Sequence, residues 1–262
     1  MIGAIFGDIV GSVYEFNNIK TKEFELFCEK SEFTDDTVMT VALADALMSV
    51  DAHSDTDAFK GAFVKKMHEY GKKYPGAGYG GKFEDWLLCG KTEPYNSYGN
   101  GSAMRVSPVA WYARSLEEAL RLAKASSEVT HNHEEGIKGA VATAGAIYLA
   151  RHGHSIEEIR SFSRRYYSLD LTLDEIRPNY YFNETCQETV PQAIQAFLES
   201  ESFEDAIRNG ISLGGDSDTL CAITGAIAEA YYGMCEGEKK LALSFLDEQL
   251  LDVVTRFSES YC

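Results

Sequence analysis

Two short acidic segments carry the residues of this chain that are best suited to chemistry. Thr34-Asp35-Asp36-Thr37 lies near the start of the 262 residues, and Gly214-Gly215-Asp216-Ser217-Asp218-Thr219 lies near the end. Four carboxylates flanked by hydroxyls, with no His or Cys among them, are hard oxygen ligands that suit Mg²⁺, Mn²⁺ or Ca²⁺ rather than zinc. If the segments converge, two divalent cations would neutralise the four negative charges, so we expect a single metal site built from both.

Each segment alone also has a purely structural interpretation. Thr or Asp before an apolar helix is an ordinary N-cap, and further acids are favoured in the first helical turn by the helix dipole. Capping requires one side-chain oxygen, however, whereas both segments carry surplus carboxylates and a following Thr. This duplication favours a ligand role, and Gly214-Gly215 would let the backbone approach a ligand closely.

Glu15 is a further candidate for chemistry. It lies in an otherwise apolar and aromatic stretch, where a carboxylate is either at the surface or positioned for proton transfer, and spacing alone leaves both interpretations open. Just before it, small residues recur at Gly3, Gly7 and Gly11. On a helix this spacing predicts close packing against another backbone.

Two glycine-rich loops could contact a ligand. Gly99-Asn100-Gly101-Ser102 is typical of a loop that leads into a helix N-terminus, which could bind phosphate or could be a plain turn with a Ser N-cap. The segment 76–82 satisfies most of a P-loop pattern, but Phe83 replaces the required Ser or Thr and no buried strand precedes it. We therefore predict no nucleotide-binding fold there, although Tyr79 or Phe83 could stack on an adenine.

The histidines give only a weak metal signal. His131 and His133 follow Thr130 at an apparent helix start, but no Cys or third His lies at a supporting spacing, so a zinc site is not predicted. His152 and His154 repeat this spacing on either side of Gly153, and this sequence is more typical of a turn than of a metal site.

Composition excludes several classes of function. A formal net charge of -17 works against general binding to nucleic acid or to anionic membranes, so any phosphate must be held by metals or helix N-termini.

The N-terminus lacks the basic region of a signal peptide, and no apolar run is long enough to span a bilayer. We expect a cytoplasmic protein, and a monomer because nothing resembles a coiled-coil seam.

Helical periodicity dominates the rest of the chain. The predicted helices cover approximately Val38–Val50, Thr56–Tyr70, Ser102–Ala113, Leu116–Ser127, Glu134–Arg151, Ser155–Tyr166, Glu184–Glu199, Phe203–Gly210, Asp218–Tyr232 and Lys239–Ser258. Ile2–Ile5 could be a strand or a first helical turn, and Glu23–Phe27 alternates only weakly. With no linker-like stretch, the sequence predicts one all-α domain over residues 1–262.

Together the motifs resemble the ADP-ribosylglycohydrolase family. The match runs from end to end and rests on five motifs in the family's order: Gly7-Asp8 with Gly11 and Glu15-Phe16, then Thr34 to Thr37, Gly99 to Arg105, Thr130-His131, and Gly214 to Thr219. The resemblance implies a compact, single-domain orthogonal helical bundle. It also implies hydrolysis of the bond between C1 of the distal ribose of ADP-ribose and an acceptor.

The resemblance assigns roles residue by residue. It implies two Mg²⁺ ions, or Mn²⁺ in some members, and Glu15, Asp36 and Asp216 as catalytic residues. The implied metal ligands are Thr34, Asp35, Asp36, Asp216, Asp218 and Thr219. The implied substrate-binding residues are Gly99, Asn100, Gly101, Ser102 and His131, with Tyr79 as a candidate for the adenine.

The acceptor and two rival functions stay open at this point. We expect an ADP-ribosylated protein or a small ADP-ribose conjugate as partner, with an arginine linkage favoured and a serine or other O-linkage next. The alternatives are a catalytically silent ADP-ribose-binding or structural member, and a hydrolase of a free ADP-ribose derivative, such as a pyrophosphatase. The segments Tyr74 to Gly90 and Leu169 to Asn183 have no counterpart that can be placed in the family pattern.

Overall fold

The chain forms fifteen α-helices and no β-strand in the computed structural model, which describes residues 1–262. The helices are α1 (Ile2–Gly11), α2 (Asp35–Met48), α3 (Thr56–Lys73), α4 (Gly81–Leu88), α5 (Gly101–Met104), α6 (Ser107–Tyr112), α7 (Leu116–Glu128), α8 (Glu134–Arg151), α9 (Ile156–Ser163), α10 (Leu173–Ile176), α11 (Cys186–Leu198), α12 (Phe203–Leu213), α13 (Ser217–Tyr232), α14 (Glu236–Leu243) and α15 (Glu248–Tyr261). Their apolar faces join in one core of 73 buried residues. The all-α bundle is therefore confirmed.

Two of the predicted helices are each divided in the structure. The stretch Ser102–Ala113 forms α5 and α6, which are separated by Arg105 and Val106. The C-terminal stretch Lys239–Ser258 forms α14 and α15, because the Asp247 side chain caps α15 by accepting hydrogen bonds from the N–H groups of Gln249 and Leu250, both at 3.0 Å. In both stretches the apolar residues keep helical spacing across the break, so the sequence pattern alone predicts one continuous helix.

The structure also defines two segments that the sequence left open and adds two short helices that were not predicted. Glu23–Phe27 forms no strand, and Ile2–Ile5 is the first part of α1. The helices α4 and α10, of 8 and 4 residues, were not predicted, because so few turns give too little periodicity to recognise. No helix in the structure combines the length and apolar character needed to cross a bilayer.

Glycines bring α1 and α13 into backbone contact at the centre of the bundle. A Cβ on Gly7 would lie 2.0 Å from the carbonyl oxygen of Cys221, and one on Gly11 would lie 2.4 Å from the Cα of Asp218. Every residue of α1 is buried. The predicted close packing through glycines is confirmed, and it holds α1 directly against the start of α13.

Glu229 on α13 fixes the other end of α1. Its carboxylate is buried and accepts hydrogen bonds from the N–H groups of Ile2 (3.2 Å) and Gly3 (2.8 Å). These N–H groups belong to the first turn of α1 and have no partner within that helix. The contact therefore gives hydrogen-bond acceptors to the N–H groups at the start of α1 and fixes the position of α1 along α13.

We predict opposite effects on stability for alanine at two helical glycines. Gly7→Ala should lower the free energy of unfolding by about 1–3 kcal/mol or more, because its methyl group would overlap backbone atoms of α13. Gly61→Ala, on the exposed side of α3 with nothing within 4 Å, should raise it by about 0.5–1 kcal/mol through helix propensity. Urea denaturation followed by circular dichroism measures both, and equal stability of the two variants would contradict the packing argument.

Candidate active site

A cavity of about 450 Å³ opens where the N-termini of α2 and α13 meet. Its wall includes Thr34, Asp35, Asp36, Asp216, Asp218 and Thr219. The Thr219 hydroxyl donates a hydrogen bond to Asp36 Oδ2 at 3.2 Å, across 183 residues of sequence. The two acidic segments thus come together in space, as the sequence led us to expect.

Asp8 of α1 organises the first acidic segment. It is fully buried and accepts hydrogen bonds from the Thr34 N–H (3.0 Å), the Thr34 hydroxyl (2.7 Å) and the Thr37 N–H (3.0 Å). The Thr34 hydroxyl in turn accepts a hydrogen bond from the Asp36 N–H at 3.3 Å, as an N-cap. Because Asp8 and Thr34 supply the capping contacts, the carboxylates of Asp35 and Asp36 are left for other interactions.

Asn18 organises the second acidic segment. Gly214 and Gly215 have φ values of 68° and 79°, in the left-handed region that favours glycine. Asn18 spans this turn: its Oδ1 accepts from the Gly215 N–H at 2.7 Å, and its Nδ2 donates to the Gly215 carbonyl at 2.9 Å. The same Nδ2 donates to the carbonyl of Glu15 at 2.9 Å. Asn18 therefore joins the segment that carries Glu15 to the turn that precedes Asp216.

The carboxylates form a tight cluster of like charge. Glu15, Asp216 and Asp218 offer oxygen atoms that all lie within 4.8 Å of one another. Burial, followed by repulsion from Asp218 and other acids nearby, raises the pKa of Glu15 to about 8. Burial also raises the pKa of Asp216 to about 6, and burial and neighbouring carboxylates raise the pKa values of Asp35, Asp36 and Asp218 well above their usual range.

The cluster fits a divalent cation. Asp36 Oδ1 and Asp218 Oδ1 are buried and have no hydrogen-bond partner in the protein. A buried carboxylate oxygen without a partner is costly, and a hard cation is the partner that such an oxygen set prefers. The donor set of oxygens without His or Cys therefore matches the metal chemistry expected from the sequence.

A glycine-rich segment forms another part of the cavity wall. Gly99, Asn100 and Gly101 line the cavity, and Asn100 Nδ2 donates to Asp216 Oδ2 at 2.6 Å. Ser102, in contrast, does not line it, because its buried hydroxyl donates to the Gly136 carbonyl at 2.7 Å. The loop thus contributes backbone and the Asn100 amide, while Ser102 connects α5 to α8.

His131 and Arg105 lie beside this loop and also line the cavity. The Thr130 hydroxyl contacts both residues, at 2.7 Å from the Arg105 guanidinium and 2.8 Å from His131 Nδ1. Burial and the nearby Arg105 hold the pKa of His131 well below its usual range, so the imidazole is neutral. A Cβ on Gly101 would lie 3.2 Å from His131 Nε2, which places this nitrogen beside the loop.

Tyr79 lies apart from the cavity surface. Its hydroxyl is buried without a hydrogen-bond partner, and its ring centroid lies 5.6 Å from that of Phe83. Gly78, Lys82 and Phe83 line the cavity instead. Of the two aromatic candidates in this segment, Phe83 is therefore the one with access to a ligand.

Sequence reasoning missed the roles of Asp8 and Asn18. Asp8 carried a signal, since an acidic residue inside an apolar helical run needs buried partners. Asn18 carried none, because two consecutive Asn residues, Asn17 and Asn18, are ordinary in a loop. Its role depends on Gly215, 197 residues away.

The comparison with known proteins agrees with this geometry. Residues 1–237 match the family model described as ADP-ribosylglycohydrolase. The ADP-ribosylhydrolase ARH3 of Mus musculus is 28% identical over 311 aligned positions, which cover 89% of this chain and 83% of the relative. The ADP-ribosylarginine hydrolase Tri1 of Pseudomonas putida is 28% identical over 267 positions, covering 89% and 70%.

A solved structure shares the fold. It is described as an ADP-ribosylglycohydrolase-related protein complex, and it superposes with a TM-score of 0.68 at 23% identity, covering 98% of this chain and 95% of the other. With the family model matching most of the length, the chain belongs to the ADP-ribosylglycohydrolase family.

Proposed function

We propose that this protein is a divalent-metal-dependent hydrolase that removes ADP-ribose from a modified acceptor. The bond cleaved is the one between C1 of the distal ribose and the acceptor side chain. The observation that carries this proposal is the meeting of the two acidic segments and Glu15 in one cavity that also contains Gly99, Asn100 and Gly101. Relatives named as an ADP-ribosylhydrolase and an ADP-ribosylarginine hydrolase support it.

We assign two Mg²⁺ ions, with Mn²⁺ as a substitute, to the acidic cluster. The residues that would hold them are Thr34, Asp35, Asp36, Asp216, Asp218 and Thr219. Two divalent ions match the four aspartate charges, and the unpartnered oxygens of Asp36 and Asp218 support the assignment. Bound metal would supply Lewis acidity and would orient the sugar and a water molecule.

The protein's own residues would position the substrate and transfer a proton. Gly99, Asn100 and Gly101 present backbone beside His131, where the diphosphate would bind. In the hydrolysis, the water oxygen forms a bond with C1, the bond from C1 to the acceptor breaks, and a proton of the water passes to the acceptor atom. The Glu15 carboxylate lies within the cluster and could carry that proton; in the metal-free protein, burial followed by repulsion from Asp218 raises its pKa to about 8.

The acceptor is assigned as arginine, with serine or another O-linked residue next. Incubation of the protein and Mg²⁺ with arginine-linked and serine-linked ADP-ribosyl peptides should release free ADP-ribose, faster from the arginine-linked peptide. Chromatography separates ADP-ribose from AMP, so the product also distinguishes glycosidic cleavage from cleavage of the diphosphate. Persistence of both peptides would instead support a silent ADP-ribose-binding role.

We predict that loss of one carboxylate from either segment abolishes ADP-ribose release. Asp36→Ala and Asp216→Ala should each remove a metal ligand while leaving the helical circular dichroism spectrum unchanged, because Thr34 and Asp8 still cap α2. Asp252→Ala, at an exposed position of α15, is the matched control and should keep full activity. Global unfolding of the two site variants would favour the capping interpretation of these acids.

We also predict that the metal-free protein becomes less stable as pH rises. Asp8 and Asp216 have pKa values raised to about 6 and Glu15 to about 8, so the folded state binds more protons than the unfolded state above pH 4. The free energy of unfolding in EDTA should therefore fall between about pH 5 and about pH 8.5. Mg²⁺ should reverse this fall, because it replaces the protons as the neutralising charge. A metal-free protein that gains stability over this range would argue against the carboxylate cluster.

A further inference from the structure

Two loops bring a pair of phenylalanines together at the edge of the cavity. Phe16 directly follows Glu15, lines the cavity and is 78% exposed. Its ring stacks on that of Phe182, which precedes α11, with centroids 5.9 Å apart and planes at 26°. Two exposed aromatic side chains in contact form an apolar patch, and such a patch at the edge of a polar cavity is a candidate contact surface for a ligand.

Hydrogen bonds hold both loops in place. Lys20, on the Phe16 loop, donates to the carbonyl of Tyr180 at 2.6 Å and to that of Leu213. Asn183 Oδ1, on the Phe182 loop, accepts from the N–H (2.9 Å) and hydroxyl (2.7 Å) of Thr185. The aromatic pair is therefore a preorganised surface, which a ligand can use at little cost in conformational entropy.

The charged side chains of these two loops that line the cavity are carboxylates, whereas the Lys20 ammonium is hydrogen-bonded to the carbonyls of Tyr180 and Leu213. Glu184 is exposed, lines the cavity and follows Phe182 by two residues, and Glu15 is the neighbour of Phe16. The cationic side chains that line the cavity, Lys82 and Arg105, belong to other segments, and Arg105 is buried against Thr130. The Phe16 loop and the Phe182 loop thus offer aromatic faces and carboxylates to whatever occupies this edge of the cavity.

This combination matches a guanidinium group. A guanidinium is planar and always charged, stacks on aromatic faces, and pairs with carboxylates through a fixed fork of N–H donors. A serine side chain can use neither the stack nor the charge. Because Glu15 lies within the carboxylate cluster, its neighbour Phe16 is close to the position of the bond that the proposed reaction cleaves.

We propose that Phe16, Phe182 and Glu184 form the acceptor subsite and select a guanidinium on the group that leaves. This inference rests on the proposed function and deepens it, since it names the residues that set the acceptor preference. Phe16, which lines the cavity, stacks on the guanidinium plane, Phe182 packs against the Phe16 ring and holds it in position, and Glu184 pairs with the guanidinium N–H groups.

The test compares two substrates that differ only in the acceptor. Phe16→Leu, Phe182→Leu and Glu184→Gln should each lower kcat/KM for an arginine-linked ADP-ribosyl peptide by about fivefold or more, while the value for the serine-linked peptide stays within about twofold. Tyr181→Leu and Glu188→Gln are matched controls, because these exposed neighbours neither line the cavity nor stack on Phe16, and both should leave the two values unchanged. An equal loss on both substrates, or a wild-type protein that prefers the serine linkage, would overturn the subsite.

A binding measurement separates this inference from the proposed hydrolysis. Calorimetric titration of agmatine, a free guanidinium compound, into protein with Mg²⁺ and ADP-ribose should show binding that Phe16→Leu and Glu184→Gln weaken and the two controls preserve. This readout requires no turnover. Agmatine binding without any ADP-ribose release would reject the hydrolase and keep the guanidinium subsite, whereas release without agmatine binding would reject the subsite and keep the hydrolase.

Discussion

The repulsion among buried carboxylates is the constraint on which the rest of the structure depends. Asp35, Asp36, Asp216 and Asp218 lie at the starts of two helices, where free N–H groups favour negative charge but offset only part of it. Burial first, and repulsion between the carboxylates second, raise the pKa values of Asp35, Asp36 and Asp218. A fold that keeps such a cluster must hold it rigidly, and the backbone contact of Gly7 and Gly11 with α13 does so from one side.

Much of the architecture could be read from the sequence because it depends on local patterns. The bounds of α8 were predicted to the residue, and those of α2, α7 and α13 to within three. The break between α14 and α15 could not be read, because Asp247 caps a helix in the middle of a continuous apolar pattern. The meeting of the acidic segments was predictable from chemistry rather than from periodicity, since four carboxylates with hydroxyls have few uses other than binding metal.

The contacts that position the cavity were harder to predict because they join residues far apart in sequence. Asp8 reaches across 26 residues to Thr34, and Asn18 reaches across 197 to Gly215. Ser102 belongs to the glycine-rich segment that the sequence offered as a phosphate loop, but its hydroxyl donates to Gly136 and so connects α5 to α8. A motif identifies the segment that forms a site, but the tertiary contacts decide which of its atoms face the ligand.

The proposed binding of a diphosphate by so acidic a protein requires a positive charge in the cavity wall. Arg105 keeps its charge at neutral pH, because burial lowers its pKa only to about 10, and the Thr130 hydroxyl links it to His131 beside Gly101. Arg105 therefore brings one positive charge to the cavity wall beside this loop, within a chain whose net charge is -17. Under the proposed function, a substrate with a diphosphate at one end and a guanidinium at the other would place its negative charge near Arg105 and its positive charge near Glu15 and Glu184. Such pairing would favour the proposed arginine linkage over a conjugate with a neutral acceptor.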